Sequence, residues 1–379
     1  MLWARRARYR SKPAPKSDGP QFWSLGCQPR FGFSPAASDA LDFLAAVCFD
    51  TPYDESRPSK VGLTPRTPKM HIQRGFQFPD QYRAGGVTIG NFDGVHRGHQ
   101  SMLATLVSRA RAANTPAVVM TFDPHPISLL RPQHTPPALS LLDHKLELFE
   151  KHGIDTVVVY PTDHALLQLT PEEFFRSIVL GELNAVGLVE GPNFFFGHHR
   201  AGNVETLRTL CDAAGRSLDV VSAVVVRGRM VSSSEVRSLI GSGQLAEAVD
   251  LLGHPYRVRG VVATGAARGR TIGFPTANLE AIATLLPPDG VYAGVCTVDG
   301  IVHPAAINLG PNPTFGEAAR KFEVHLLDFD GDLYGQTLDV DLLARVRDVV
   351  RFGSSDALKQ QLNQDLEAVR SLANAAAEQ

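Results

Sequence analysis

The chain is poor in cysteine. Cys27, Cys48, Cys211 and Cys296 lie far apart among 379 residues, with no C-x-x-C pair. That excludes a disulfide scaffold and an ordinary zinc module, and it suits a reducing cytoplasm. An excess of charge of one sign is also missing. The 37 Lys+Arg and 39 Asp+Glu leave a net charge of −2, so no overall basic field exists to hold nucleic acid. No apolar run reaches the roughly 18 residues that would span a bilayer, so no membrane partner is expected. The remainder is ordinary globular material, 44% hydrophobic and 20% charged, and long enough to bury a core without staples.

The first 69 residues differ from the rest of the chain. They hold nine of the 26 prolines, and Trp3 and Trp23 are the only tryptophans. Their start carries Arg5, Arg6, Arg8, Arg10, Lys12 and Lys16 with no acid before residue 17. Arg-rich, acid-poor starts occur in transit peptides, but the apolar stretch from Ala37 to Phe49 contains Asp39 and Asp42 and makes a poor signal core. The expectation is a disordered leader, or upstream sequence from a misassigned start, with the working protein opening at Met70.

From Val87 to Leu252 short apolar runs alternate with helical periods. Val87–Ile89, Ala117–Phe122, Thr156–Tyr160, Ala185–Val189 and Val220–Val226 read as strands. Met102, Leu103, Leu106, Val107 and Ala110 recur at helical spacing. Glu172–Leu180 reads as a helix capped by Thr170 with Pro171 at its first position, and Ser234–Ile240 and Gln244–Leu252 as two more. This alternation predicts a doubly wound α/β domain over residues 70–253. From His254 the texture changes. Arg257–Ala263, Gly290–Val298, Ile301–Asn308, Lys321–Asp328 and Thr337–Val349 succeed one another with Gly-, Pro- and Asp-rich turns between them. They predict an antiparallel β-barrel over 254–379, closed by an amphipathic helix over Asp356–Ala373.

Two stretches carry chemistry. The first is Gly90-Asn91-Phe92-Asp93-Gly94-Val95-His96-Arg97-Gly98-His99, between a strand and a helix. Free N–H groups and the helix dipole favour a phosphate at such a turn, and Gly94 and Gly98 admit close approach. His96 and His99 can point the same way and donate hydrogen bonds where charge grows during attack at an α-phosphorus. A zinc pair would want i, i+4 spacing and a third ligand, and none is obvious. Asp123 and His125, in Thr-Phe-Asp-Pro-His-Pro, end a parallel strand and should share the same crevice. Asn193 sits in Gly-Pro-Asn-Phe-Phe-Phe-Gly, whose phenylalanines either stack on a planar ring or fill core. Ser232, Ser233 and Arg237 open a helix and suit outer phosphates, or serve only as a cap with a solvated arginine.

The second stretch runs from Gly265 to Asn278 and includes Gly269, Arg270, Gly273 and Pro275. It is not a Walker A loop, because no Gly-Lys-Ser/Thr ends it. Thr276 and Asn278 offer hard oxygens suited to Mg²⁺ bridging ATP phosphates. In Lys321–Phe329 the alternation sends Phe322, Val324 and Leu326 one way and Glu323 and His325 the other. Glu323 could take a proton from a hydroxyl attacking a γ-phosphorus, or be one more exposed carboxylate.

These motifs carry a resemblance. H-x-G-H with a later Ser-Ser-Ser-Glu-Val-Arg is similar to the nucleotidyltransferase superfamily. Gly-Asn-Phe-Asp-Gly-Val-His-Arg-Gly-His, Thr-Phe-Asp-Pro-His-Pro and Gly-Pro-Asn-Phe-Phe-Phe-Gly together resemble, more narrowly, the adenylyltransferase module of bacterial bifunctional riboflavin kinase/FAD synthetases. Gly-Arg-Thr-Ile-Gly-Phe-Pro-Thr-Ala-Asn (269–278), Asn308–Phe315 and Glu323–Phe329 resemble the kinase module. The resemblance covers about residues 85–370. It implies that riboflavin is phosphorylated to FMN and FMN adenylylated to FAD, with ATP as co-substrate and Mg²⁺ as cofactor. It implies that His96, His99 and Arg237 serve adenylyl transfer. Asn91, Phe92, Asp93, Gly94, Gly98, Ser232, Ser233, Gly269, Arg270, Gly273 and Pro275 would bind ATP. Asp123, His125, Asn193 and Asn308 would contact flavin. Thr276 and Asn278 would hold the metal, and Glu323 would be the base. Ala266-Ala267, Ser234 and Glu235 depart from the family pattern, and a homo-oligomer is left open.

Overall fold

The alternating half of the chain builds a sheet and the strand-rich half a barrel. The computed structural model describes residues 69–77, 79–264, 273–312 and 317–378. The leader therefore lies outside the described residues. Six strands come first: β1 (His71–Arg74), β2 (Gly86–Ile89), β3 (Ala117–Phe122), β4 (Thr156–Tyr160), β5 (Gly187–Glu190) and β6 (Ser217–Val220). They pair in parallel in the order β1-β4-β3-β2-β5-β6. Every residue of β2 and β5 is buried, as unalternated apolar runs require of strands covered on both faces. On β3, Val118 and Met120 join Val87, Ile89 and Phe174 in one layer. Ala117 and Val119 join Leu103, Leu106 and Phe149 in the other.

The helices of this part are α1 (Arg97–Ala113), α2 (Pro126–Leu130), α3 (Leu142–Lys151), α4 (His164–Gln168), α5 (Pro171–Phe174), α6 (Val204–Ala213), α7 (Ser233–Gly241) and α8 (Leu245–Leu252). At α5 the expected Thr170 cap forms a full capping box with Glu173. The helix then widens into π-type turns over Phe175–Glu182, where one regular helix was expected. The strand expected over Val220–Val226 needs correction. Its first residue ends β6, whereas Val225–Val226 (β7) folds back on Arg229–Met230 (β8) as a hairpin. Arg227 and Gly228 both have positive φ, the two-residue turn that reverses a chain, and it draws the valines away from the sheet.

The barrel comprises β9 (Tyr256–Ala263), β10 (Ala277–Glu280), β11 (Gly290–Val298), β12 (Ile301–Asn312), β13 (Glu317–Leu326) and β14 (Thr337–Arg347). It closes in the order β10-β13-β12-β11-β14-β9 with every pair antiparallel. Tyr256, Val258, Tyr292, Ile307, Phe322, Val324 and Val340 fill it. The two buried phenols are satisfied: Tyr256 donates to Leu285 O at 2.7 Å and Tyr292 to Pro288 O at 2.6 Å. A last helix, α9 (Ser355–Ala377), packs on β11, β12 and β14. Arg347 grips its buried Asp365 at 2.7 to 3.1 Å. Among the described residues no helix is long and apolar enough to cross a membrane.

Sheet and barrel share core. Leu139 and the apolar faces of α7 and α8 belong to the cluster that fills the barrel. Arg257 on β9 reaches Glu147 on α3 at 2.6 Å, and Arg259 reaches Asp143 at 3.1 Å. The two architectures form one compact unit.

Candidate active sites

The sheet order changes direction at β2 and β5, and a crevice opens outside the carboxyl ends of such strands. The turn from Gly90 to His96 lies there and delivers the chain into α1. His96 is the N-cap of α1, and its Nδ1 accepts the His99 N–H at 3.3 Å. That fixes the neutral tautomer with its proton on Nε2, so the ring remains a donor. The His99 ring stacks on His96, with centroids 3.7 Å apart and planes inclined by 14°. Gly98 leaves room for this stack, since a Cβ there would lie 3.2 Å from the His96 ring and press on it. Burial lowers the His96 pKa to about 4, with Asp93 opposing and His254 and Arg237 assisting. Burial likewise holds His99 well below the usual histidine range, aided by His96 and Lys145. Both rings are therefore neutral hydrogen-bond donors at neutral pH.

Asp93 turns from the crevice and clamps the turn from behind. Its carboxylate accepts from Leu139 N at 3.0 and 3.1 Å and from Ser140 N at 3.0 Å. It also pairs with Arg237, whose Nε donates to Pro137 O at 2.8 Å. The Arg237 guanidinium, expected on outer phosphates, is thus engaged by Asp93 and Pro137. Gly94, at φ +78°, donates to Ser140 Oγ at 2.9 Å, and a Cβ there would meet Leu139 and Leu252 within 3.3 Å. Ser232 caps α7, accepting from Glu235 N at 3.2 Å, while Ser233 Oγ donates to Asp93 O at 3.0 Å. Glu235 points to Arg229 at 2.9 Å. Phe92, expected among the ATP-binding residues, is 2% exposed and wedged between Phe149 and His99. Its ring therefore supports the histidine from the core.

His125 caps α2 and accepts from Ile127 N at 3.1 Å. Its pKa is lowered by burial first, with Asp93 opposing and Lys145 and Arg237 reinforcing, which places it in the same electrostatic neighbourhood. Asp123 lies 3.8 Å from Arg74. Asn193 is exposed on the turn after β5. The phenylalanines beside it divide: Phe196 is core, Phe194 stacks on it, and Phe195 is 45% exposed beneath the Arg200 guanidinium.

Three residues were not found by reading the sequence. Lys145 on α3 is buried, and its Nζ donates to Asn91 O at 3.2 Å. Burial lowers its pKa, opposed by Asp93 and Asp123. The available signal was a lysine on the face that α3 buries with Leu148 and Phe149. Glu190 ends β5 fully buried, accepting Ile89 N–H at 2.8 Å, and desolvation raises its pKa well above the usual carboxylate range. His254, the third, contacts Gly94 O across the join between sheet and barrel. Asn91 Oδ1, His99 Nδ1 and Glu190 Oε2 are all buried without a protein partner.

On the barrel, register brings the second set together. Asn278 stands opposite Glu323, and Glu323 opposite Asn308, so the three form one row across β10, β13 and β12. Residues directly opposite share a face. Phe322, Val324 and Leu326 are buried inside, so the row lies on the outer wall, as the alternation required. Asn308 Nδ2 donates to Glu323 Oε2 at 3.4 Å. His325 donates from Nδ1 to Pro275 O at 2.7 Å and holds the segment leading into β10. Gly273 has φ +91°, a conformation side chains disfavour. Gly269 and Arg270 lie outside the described residues. Beside Thr276 opens a pocket of about 300 Å³ lined by Val262, Val324, Leu326, Phe329 and Tyr334. Its lining is mixed, with Asp330 and Asp332 beside the apolar side chains. Thr276, which lines it, and Asn278, on the neighbouring outer row, offer uncharged hard oxygens, a donor set that fits Mg²⁺ already held mainly by phosphates and water.

A parallel sheet with an H-x-G-H turn at its switch point, joined to a barrel bearing a carboxylate–amide row, defines a nucleotidyltransferase coupled to a kinase. Comparison with known proteins agrees. Residues 79–235 match the FAD synthetase family and 252–373 the riboflavin kinase family. The chain is 36% identical over 306 residues to the bifunctional riboflavin kinase/FMN adenylyltransferase of Pseudomonas fluorescens, covering 80% of this chain and 98% of that one. It is 37% identical over 299 residues to the protein of the same description from Escherichia coli K12, covering 78% and 96%. A crystal structure described as a macrolide-efflux protein from Streptococcus pneumoniae superposes with a TM-score of 0.69 at 34% identity, covering 76% and 94%. The chain belongs to the bifunctional riboflavin kinase/FMN adenylyltransferase family.

Proposed function

We propose that the barrel and the sheet perform successive steps of flavin cofactor synthesis at separate ATP sites. On the barrel, the riboflavin 5′-hydroxyl attacks the γ-phosphorus of ATP, giving FMN and ADP. Glu323 takes the hydroxyl proton, and Asn308 orients the Glu323 carboxylate. The adenine occupies the pocket beside Thr276. Mg²⁺, held from Thr276 and Asn278, would neutralise phosphate charge and line up the displacement.

On the sheet, a phosphate oxygen of FMN attacks the α-phosphorus of ATP, giving FAD and pyrophosphate. The turn over Gly90–Gly98 cradles the triphosphate at the N-terminus of α1. His96 and His99 donate to the oxygens that gain charge, and their neutrality keeps them donors without a proton transfer. Lys145 supplies positive charge beside them, because the Arg237 charge is balanced by Asp93. Asp123, His125 and Asn193 border the flavin. The observation that carries this reading is the stacked pair of buried neutral imidazoles capping α1 at the switch point of the sheet.

The test is a product assay with riboflavin, ATP and Mg²⁺. FMN appears first and FAD comes after it. Accumulation of FMN alone, or conversion only of added FMN, would leave one module without its assigned step.

A further inference from the structure

The phosphate turn is held from both halves of the molecule: Asp93 and Ser140 clamp it from its own side, and His254 reaches it from the other. Gly94 is bonded on both sides. Its N–H is taken by Ser140 Oγ at 2.9 Å, and its carbonyl faces His254 Nε2 at 3.0 Å. His254 lies within the stretch that matches riboflavin kinases, two residues before the first barrel strand. The segment around it presses on the turn at further points. Arg97 Nε donates to Asp250 O at 2.7 Å, and Gln100 Nε2 donates to Val95 O at 2.9 Å and Leu252 O at 2.7 Å. At Gly253, with φ +75°, a Cβ would lie 3.0 Å from the Arg97 and Gln100 side chains. The barrel also steadies the clamp behind the turn, since Leu285 N donates to Ala138 O at 2.9 Å, next to the Leu139 N–H that binds Asp93.

Gly94 O lies two residues before His96, the N-cap whose ring must stand over Gly98 and against His99. Rotation of the peptide after Gly94 would swing both imidazoles. A donor at Gly94 O therefore acts on the reacting phosphate at second hand. His254 is half-buried and packs against the buried His144, whose ring meets it edge-on with centroids 5.5 Å apart, which limits its freedom to leave. We propose that His254 is a positioning residue for adenylyl transfer: a side chain from the kinase-matching stretch whose Nε2–H holds Gly94 O and thereby aims His96 and His99. The proposal rests on ATP phosphates occupying this turn, as the proposed function requires.

The two ring nitrogens provide the discriminating test. Nε2 faces Gly94 O, while Nδ1 lies 2.8 Å from Pro255 O. A glutamine amide reproduces the position of Nε2, and an asparagine amide that of Nδ1. In the full-length protein, His254→Ala is expected to lower kcat for FAD formation from FMN by about 10²-fold, the scale of a 1 Å misplacement. The KM for ATP should change far less, and FMN formation should stay within about twofold because no kinase group is touched. His254→Gln should restore most of the lost kcat, and His254→Asn should not. Unchanged FAD formation in His254→Ala, or equal activity in the Gln and Asn variants, would overturn the proposal. If the Ala variant lost both activities through poor folding, the Gln–Asn comparison would still decide. His99→Ala, measured alongside, separates the two ideas. If that variant kept making FAD, the reading of the turn would fail. If it lost FAD formation while His254→Ala did not, only the role of His254 would fail.

Discussion

His96 shows how one residue is given two tasks by its surroundings. Its Nδ1 caps α1, and that leaves Nε2–H free for the donor role proposed for it. His99→Ala removes the second donor and is expected to lower FAD formation at least 10²-fold, the usual cost of one such group, while FMN formation continues. Product analysis by chromatography reads both, and parallel loss would contradict independent sites. Glu323→Gln should give the opposite pattern: kinase turnover falls at least 10²-fold, the scale of general-base catalysis, and added FMN is still converted. Lys145→Met keeps the volume of a buried side chain and removes its charge. FAD formation should fall about tenfold or more, with the thermal midpoint held or raised, since a desolvated ammonium costs stability. A large loss of stability instead would make Lys145 a structural anchor for Asn91 O. Lys145 escaped notice in the sequence because a lone lysine in a helix is ordinarily solvated. Only the packing of α3 on the sheet shows it buried.

At the scale of elements, strand positions were largely readable. β3 and β4 fall where the apolar runs ended, because a strand buried on both faces is mostly apolar, with only Thr121 and Thr156 as polar members here. The short polar β1 and the four-residue β10 offered no such run and were missed. The valines at 220–226 misled for the converse reason: apolar content marks burial, whereas the turn at Arg227-Gly228 decides direction. The α1 start gives a sharper case. Gly98→Ala should raise helix propensity by up to about 1 kcal/mol yet place a methyl 3.2 Å from the His96 ring. The expected result is a thermal midpoint unchanged or higher with FAD formation down about 10²-fold, the scale of a misplaced group. Retained activity would show that the ring can shift without loss.

For the whole molecule, buried histidines make stability depend on pH. Burial lowers His96 to about 4 and His144 to about 3, from about 6.5 in the unfolded chain. Below pH 6.5 the unfolded chain binds protons that the folded chain refuses. Stability is therefore full above 6.5 and is lost as pH falls toward those lower values. At pH 5 each of the two withdraws on the order of 2 kcal/mol. Thermal midpoints measured from pH 7.5 to 5 should decline before the carboxylates titrate, and a flat profile would contradict neutral burial.

By itself the sequence determined the two architectures and the order of the motifs, and it singled out His96, His99, Asn278, Asn308 and Glu323 as candidate site residues. Periodicity and turn residues act over a few positions, and such information is local. Only the tertiary structure decided that Asp93 faces backward to Arg237 and the Leu139–Ser140 amides, that Lys145 lies buried beside Asn91, and that His254 reaches Gly94 from 160 positions away. The first two depend on how helices and loops pack on the sheet, and the last on how the stretch leading into the barrel meets it. No short window of sequence contains both partners.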